Sequence, residues 1–372
     1  MRTRQLIRLG LSLGLLPVLG QAASVADTTK LIDQYARQLQ QAGQPVGLTV
    51  VVVDGNQTWQ RYLGETRYGN RTPPQPDTLI RIASISKLFT GEVLVTLAAE
   101  RRLTLDDPLQ KYAPAGVVVP QGGKGQIIRL VNLATHTSGL PREMPGQRPA
   151  DAPVFSWPTE GQRWQWMANG RLNAVPGSRA AYSNLAFDFL ADALARAGGK
   201  PYPVLLREKI TAPLGMTSTT FSPTAAQCAR LMQGIDASPC TDSQPADGSG
   251  GIYSTPHDMA LWLQSQLRAK SIVAQRAQQL VYRRKDLRAI NGMDHAGQAD
   301  ALGLGWVYME ARDGQPAMLQ KTGGGGGFLT YVAINPQHRV GVFVAMTRSR
   351  HVSPRGMINQ ANKLVAALSQ QH

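Results

Sequence analysis

Cysteine is all but missing from this sequence: Cys228 and Cys240 are the only two in 372 residues. A scaffold held by many disulfides is therefore excluded. The six histidines, His136, His257, His295, His338, His351 and His372, show no ligand spacing such as His-x-x-x-His, so no metal or other cofactor is expected. Acidic side chains are short, 24 against 39 lysines and arginines. The Gly-x-Ser-x-Gly elbow is absent, and so are internal repeats and low-complexity linkers apart from the glycine run Gly323 to Gly327. Beyond residue 23 no apolar run approaches the roughly 20 residues that a bilayer demands.

What is present is the composition of a globular enzyme, with 42% hydrophobic and 17% charged residues. A chain of this length can bury a large core in one domain or two. Residues 1–23 read as an export signal: Arg2, Arg4 and Arg8 precede the apolar stretch Leu9 to Leu19, and small residues follow around Ala22 and Ala23. The stretch is short for a membrane anchor, and no cysteine stands nearby for lipid attachment. Export to a periplasm implies an oxidising compartment. Cys228 and Cys240, close together in a Pro/Ser/Gln-containing segment, then read as a loop-closing disulfide worth about 3 kcal/mol, with two free buried thiols as the alternative. Loss of the three signal arginines, with no acid in that segment, lowers the net charge from +15 to +12. Such an excess suits phospholipid headgroups, and so peripheral contact with the inner membrane, or peptidoglycan carboxylates, or simple solubility. Nucleic acid is the wrong partner for an exported chain without a basic, aromatic-interleaved stripe.

Leu31, Ile32, Tyr35 and Leu39 recur at helical spacing and predict a helix over residues 27–41. Val46 to Val53 and Thr58 to Leu63, flanking Asp54-Gly55-Asn56, predict a hairpin. The end of the chain mirrors its start. Gly327 to Ile334 and Val340 to Met346 flank Asn335-Pro336-Gln337-His338, and a helix carrying Met357, Ile358, Ala361, Leu364, Val365 and Leu368 follows. Residues 24–98 and 296–372 are thus expected to form one antiparallel sheet flanked by terminal helices, an α+β arrangement. Residues 99–295 carry mainly helical signals, among them Leu185 to Ala197 and Pro256 to Leu267, the latter capped by Thr255.

Three short motifs carry chemistry. Ser84-Ile85-Ser86-Lys87 opens an apolar segment, Ile82 to Ala99, expected to be a buried helix. A three-residue spacing puts serine and lysine on one helix face. A serine hydroxyl is a poor nucleophile unless a nearby base takes its proton, and burial can keep a lysine neutral enough to serve. Tyr182-Ser183-Asn184 follows the turn Pro176-Gly177: the tyrosine can relay a proton, and the asparagine can hold Lys87 or a substrate amide. Tyr68-Gly69-Asn70 has the same spacing but precedes the serine and is given little weight. Lys321-Thr322-Gly323 is expected on an edge strand facing the site, where lysine and hydroxyl can bind a carboxylate and the glycines leave room for an acyl chain.

This set, in this order, resembles serine β-lactamases and penicillin-binding proteins. Leu133-Ala134-Thr135-His136-Thr137-Ser138-Gly139-Leu140-Pro141, Pro213 to Met216 and Gly250 to Pro256 resemble the class C β-lactamase-like family. Ala181 to Asp188 and Gln320 to Phe328 are most similar to its AmpH-type D-alanyl-D-alanine carboxypeptidase/endopeptidases. The resemblance implies a sheet domain beside an all-helical domain, with the active site in the cleft between them. It implies acylation at Ser84, proton transfer by Lys87 and Tyr182, and carboxylate binding by Lys321 and Thr322. The oxyanion hole would be the backbone N–H groups of Ser84 and Gly324. Substrates would be peptidoglycan stem peptides, with β-lactam antibiotics as acylating inhibitors. The sequence departs from class C β-lactamases after Leu140-Pro141, where Glu143 stands in place of a glutamine. A carboxylate suits an amine, such as that of the stem's diamino acid, and tilts the reading toward peptides. A class C-like β-lactamase is the rival; a serine esterase and a non-catalytic peptidoglycan or antibiotic sensor rank behind it.

Overall fold

The computed structural model describes residues 24–146, 148–268 and 271–372; the expected export signal lies outside them. Its frame is a sheet drawn from both ends of the chain. Strand β1, Gly47–Asp54, is a continuous apolar run because both of its faces are covered. Val50 and Val52 pack with Ile32, Leu39, Leu364 and Leu368, while Val51 and Val53 join the core of the helical layer. It pairs antiparallel with β2, Gln57–Gly64, around Gly55, whose φ of 58° suits the turn.

Six further strands complete the sheet: β3 Tyr282–Arg283, β4 Ala301–Leu302, β5 Val307–Met309, β6 Met318–Gly325, β7 Phe328–Asn335 and β8 Val340–Thr347. Their order is β2-β1-β8-β7-β6-β5-β4-β3, so first and last strands of the chain lie side by side, with Leu48 opposite Met346. Helices α1, Val25–Gly43, and α6, Pro354–Ser369, cover one face. On the other side lie α2, Ser86–Ala99, α3, Glu160–Met167, α4, Asn184–Gly198, and α5, Pro256–Leu267. No helix among the described residues is long and apolar enough to cross a membrane.

Three expectations meet differences here. Helix α5 packs directly on β1 and β8, and β3 belongs to the sheet, so both leave the span assigned to the helical insertion. Strand β6 is not an outer strand, but β5 pairs only with Met318, Leu319 and Gln320. One flank of Lys321 to Gly325 is therefore free of a sheet partner on the side opposite β7, a local edge inside the sheet. Finally, the segment expected to be helical from Ile82 begins with a 3-10 turn, Ala83–Ile85, and Ala83 takes a left-handed φ of 48°.

Helix α2 is buried on almost every side, including its charges. Gly91 is required there because a Cβ would lie 2.5 Å from the Leu304 carbonyl oxygen. Glu92 accepts from Trp262 Nε1 at 2.7 Å and Gln266 Nε2 at 3.1 Å, and burial pushes its carboxyl up to about 7. Since the folded value is raised, Glu92 contributes fully at acid pH and its contribution is lost as pH rises through about 7. Glu92→Gln should stabilise the fold at pH 8 by roughly 1 to 3 kcal/mol and hardly at all at pH 5. Denaturant melts of both proteins at the two pH values decide it, and a pH-independent difference would count against the assignment.

Candidate active site

The left-handed residue Ala83 opens the 3-10 turn that presents Ser84 just ahead of α2, and two contacts fix it. Ile82 N–H donates to Ile252 O, and Thr330 Oγ1 on β7 donates to Ile82 O at 2.9 Å. Gly323 on β6 then lies flat against the serine. A Cβ there would stand 2.2 Å from Thr330 Oγ1 and 3.1 Å from the Ser84 backbone nitrogen, so no side chain fits.

Lys87, one turn on, is wholly buried. Its Nζ donates to Ser84 Oγ at 3.2 Å, to Asn184 Oδ1 at 2.6 Å and to Ser249 O at 2.6 Å. Burial lowers its ammonium to about 7, against the opposing pull of the Asp188 and Glu143 carboxylates. Tyr182 OH donates to Ser84 Oγ at 2.7 Å from the far side. The tyrosine is held by a short parallel pairing of Ala180–Ala181 with Ile290–Asn291 and by its own N–H to Asn291 O. Ser183 caps α4, accepting from Ala186 N–H and donating to Pro141 O, which turns Asn184 toward Lys87. The rival Tyr68 is 84% exposed, away from this cluster.

Lys321 lies on β6 with only 2% exposure, and its Nζ sits 4.4 Å from the centre of the Tyr182 ring. Burial lowers its ammonium to about 8, with Tyr182 pulling the other way and Lys87 adding to the fall. It thus addresses Tyr182, whereas Thr322, Gly323 and Gly324 line the open cleft, a cavity of about 550 Å³ with Ser84 in its wall. Glu143 is exposed, lies next to Arg142, and accepts from Asn184 Nδ2. It is the outer end of a Glu143–Asn184–Lys87 chain of hydrogen bonds.

The sequence reading missed several of the cleft's residues: Arg142, Phe155, Asp294 and Arg355 line it from loops and from the first turn of α6. None sits in a pattern that sequence alone flags. His136 is another. Buried and held neutral by burial and by Lys321 and Lys87, it stacks on Tyr182 at 4.5 Å and accepts the Ser183 N–H through Nδ1. Its place in Thr135-His136-Thr137 was the available signal. Cys228 and Cys240 are joined in a disulfide. The loop it closes reaches the cleft wall, since Ser238 Oγ accepts the N–H of Val154, beside Phe155.

The Beta-lactamase family profile matches residues 32–367. The D-alanyl-D-alanine-carboxypeptidase/endopeptidase AmpH of Escherichia coli (strain K12) is 52% identical over 344 residues, covering 91% of this chain and 89% of that one. A beta-lactamase of Pseudomonas fluorescens is 24% identical, covering 92% and 99%. A crystal structure of a beta-lactamase/D-alanine carboxypeptidase from Yersinia pestis, complexed with citrate, superposes with a TM-score of 0.91 at 53% identity, covering 93% of this chain and 99% of that one.

Proposed function

The chain belongs to the beta-lactamase family, and from that premise we propose that it is a penicillin-binding serine D-alanyl-D-alanine carboxypeptidase/endopeptidase, acting on peptidoglycan stem peptides in the periplasm. One observation carries the reading: Ser84 Oγ stands between Lys87 Nζ and Tyr182 OH, within hydrogen-bond reach of both and open to the cleft. The half-identical AmpH relative supplies the substrate class. The net charge of +12 left after signal removal suits a wall rich in carboxylates.

A neutral Lys87 has two N–H bonds and one lone pair. The two 2.6 Å acceptors, Asn184 Oδ1 and Ser249 O, hold the hydrogens, which leaves the lone pair for Ser84 Oγ. Lys87 takes the serine proton as Oγ bonds to the peptide carbonyl carbon, and the carbonyl π pair moves onto oxygen. That oxyanion is assigned to the backbone N–H groups of Ser84 and Gly324, each such donor being worth roughly 2.7 to 4 kcal/mol. Tyr182, fed by the protonated Lys87, delivers a proton to the departing D-alanine amine. Water then repeats the sequence on the acyl-enzyme. Lys321 places a positive charge against the Tyr182 ring, where it would stabilise negative charge developing there in the transition state. The substrate's terminal carboxylate falls to Thr322 and Arg355 in the cleft. Lys321→Ala should then lower kcat, while Arg355→Ala should raise KM about tenfold with little change in kcat, as loss of a charge-assisted hydrogen bond does. Steady-state kinetics on a pentapeptide stem separates the two. A KM effect confined to Lys321 would reverse the roles.

The reading is tested by two turnover assays on one preparation, a stem pentapeptide against a chromogenic cephalosporin. Released D-alanine over many turnovers, with the antibiotic's acyl-enzyme persisting, is expected. Rapid cephalosporin turnover without D-alanine would replace the peptidase by a β-lactamase.

A further inference from the structure

Beneath Lys87 lies a carboxylate that the acylation chemistry leaves unused. Asp188 is one helical turn beyond Asn184 on α4, so the two side chains share the face that meets α2. It is 4% exposed, and its Oδ1 has no hydrogen-bond partner among the described residues. Its link to the lysine is Ser249, which is buried with it: the backbone carbonyl accepts from Lys87 Nζ at 2.6 Å, and the side chain of the same residue favours the charged form of the Asp188 carboxyl. Lys87 itself touches only neutral acceptors, so the charge it gains on taking the Ser84 proton has no direct counter-ion.

We propose that Asp188 is the positioning residue that balances the charge of Lys87 through Ser249, and so sets the pH below which Lys87 can no longer accept the Ser84 proton. No bond forms or breaks at Asp188 during acylation. The proton moves from Ser84 Oγ to Lys87 Nζ, and the carboxylate offsets the positive charge created there. Burial raises Asp188 and lowers Lys87, so that both titrate near neutrality and neither charge is settled without the other.

Other charges face this pair from every side. On the lysine side stand Glu143 and Arg142, Lys321, and the buried neutral His136. On the aspartate side, Arg163 of α3 is bonded to Asp192 at 2.8 Å and buried with it. Asp247 lies close, its carboxyl raised well above the usual range by burial and, against the pull of Arg163, by Asp192 and Asp188. Tyr202 and Glu92 complete the surroundings. Arg163 is committed to Asp192, which leaves Asp188 as the foremost carboxylate acting on Lys87.

The inference rests on Ser84 as the acylated serine. The test is the pH profile of the acylation rate constant with a fluorescent penicillin, for wild type and Asp188→Asn, an isosteric change that deletes the charge. Without the carboxylate Lys87 loses its proton more readily, so the acid limb should move down by about one pH unit. A lowered plateau with an unmoved acid limb would reduce Asp188 to packing and overturn the proposal. Should Asp188→Asn not fold, Ser249→Ala reads the same quantity: it keeps the carbonyl acceptor, removes the hydroxyl from Asp188, and should shift the limb in the same direction. An unmoved limb there equally overturns it. Wild type that is not acylated at any pH would instead defeat the serine assignment, a result distinct from either.

Discussion

Ser84→Ala should lose covalent labelling by penicillin altogether and slow peptide cleavage on the order of 10⁴-fold or more, as loss of a nucleophile that acts as a unit with its base does elsewhere. The fold should survive. The hydroxyl is half-buried at a helix start, and its removal leaves Ile82, Gly323 and Thr330 in their contacts. The Lys87 and Tyr182 groups that addressed it keep other partners or face the cleft. The stability change should therefore stay within about 1 kcal/mol. Intact-mass spectrometry after exposure to penicillin, D-alanine release, and a thermal melt together check this. A surviving adduct on the variant would move the nucleophile elsewhere, and Ser86, wholly buried with its Oγ reached by the Ile252 N–H, offers no accessible substitute.

The second large effect is expected at Lys87. Lys87→Met fits the volume and removes the base, and acylation should fall on the order of 10³-fold, within the range that general base catalysis supplies. Noncovalent capture of the antibiotic should remain, because the cleft itself is lined by other side chains. The variant also strands Asn184 Oδ1 and the Ser249 carbonyl, at about 1 to 3 kcal/mol for each buried acceptor left empty. That loss is partly offset, since no buried amine need be desolvated. Stopped-flow acylation separates binding from bond formation, and a rate within tenfold of wild type would remove Lys87 from the proton path. Combining Lys87→Met with Ser84→Ala should cost little more activity than Ser84→Ala alone, as expected for groups serving one step.

Sequence patterns reach far into this molecule where local chemistry decides the structure. Helix α5 spans Pro256–Leu267 as expected, because Thr255 caps it and proline occupies its first position. The two hairpins and the terminal helices follow from alternation and helical spacing, with ends moved by one or two residues. Ser84, Lys87, Tyr182 and Asn184 are brought together because their spacing encodes their roles. What escaped was decided by distant neighbours. Alanine is no signal for a left-handed φ, so the kink at Ala83 was invisible. Whether Lys321 points to the cleft or to Tyr182 depends on which neighbours cover β6. The partial pairing of β6 depends on where β5 stops, and no local pattern in Lys321 to Gly325 records that.

The pairing of first with last strands has a bearing on how the enzyme comes into being. Strand β1 emerges early from synthesis, yet its partner β8 lies almost 300 residues downstream, as the Leu48 and Met346 register requires. Until then Thr49-Val50-Val51-Val52-Val53 presents an unpaired, strongly β-forming edge, the kind of segment that recruits other chains. Contacts so distant in sequence make for slow closure. A nascent or truncated chain ending before Val340 would therefore hold Ser84 and Lys87 without a finished sheet behind them. Catalytic competence arrives only with the final tenth of the polypeptide, and a shortfall there turns an enzyme into an aggregation hazard.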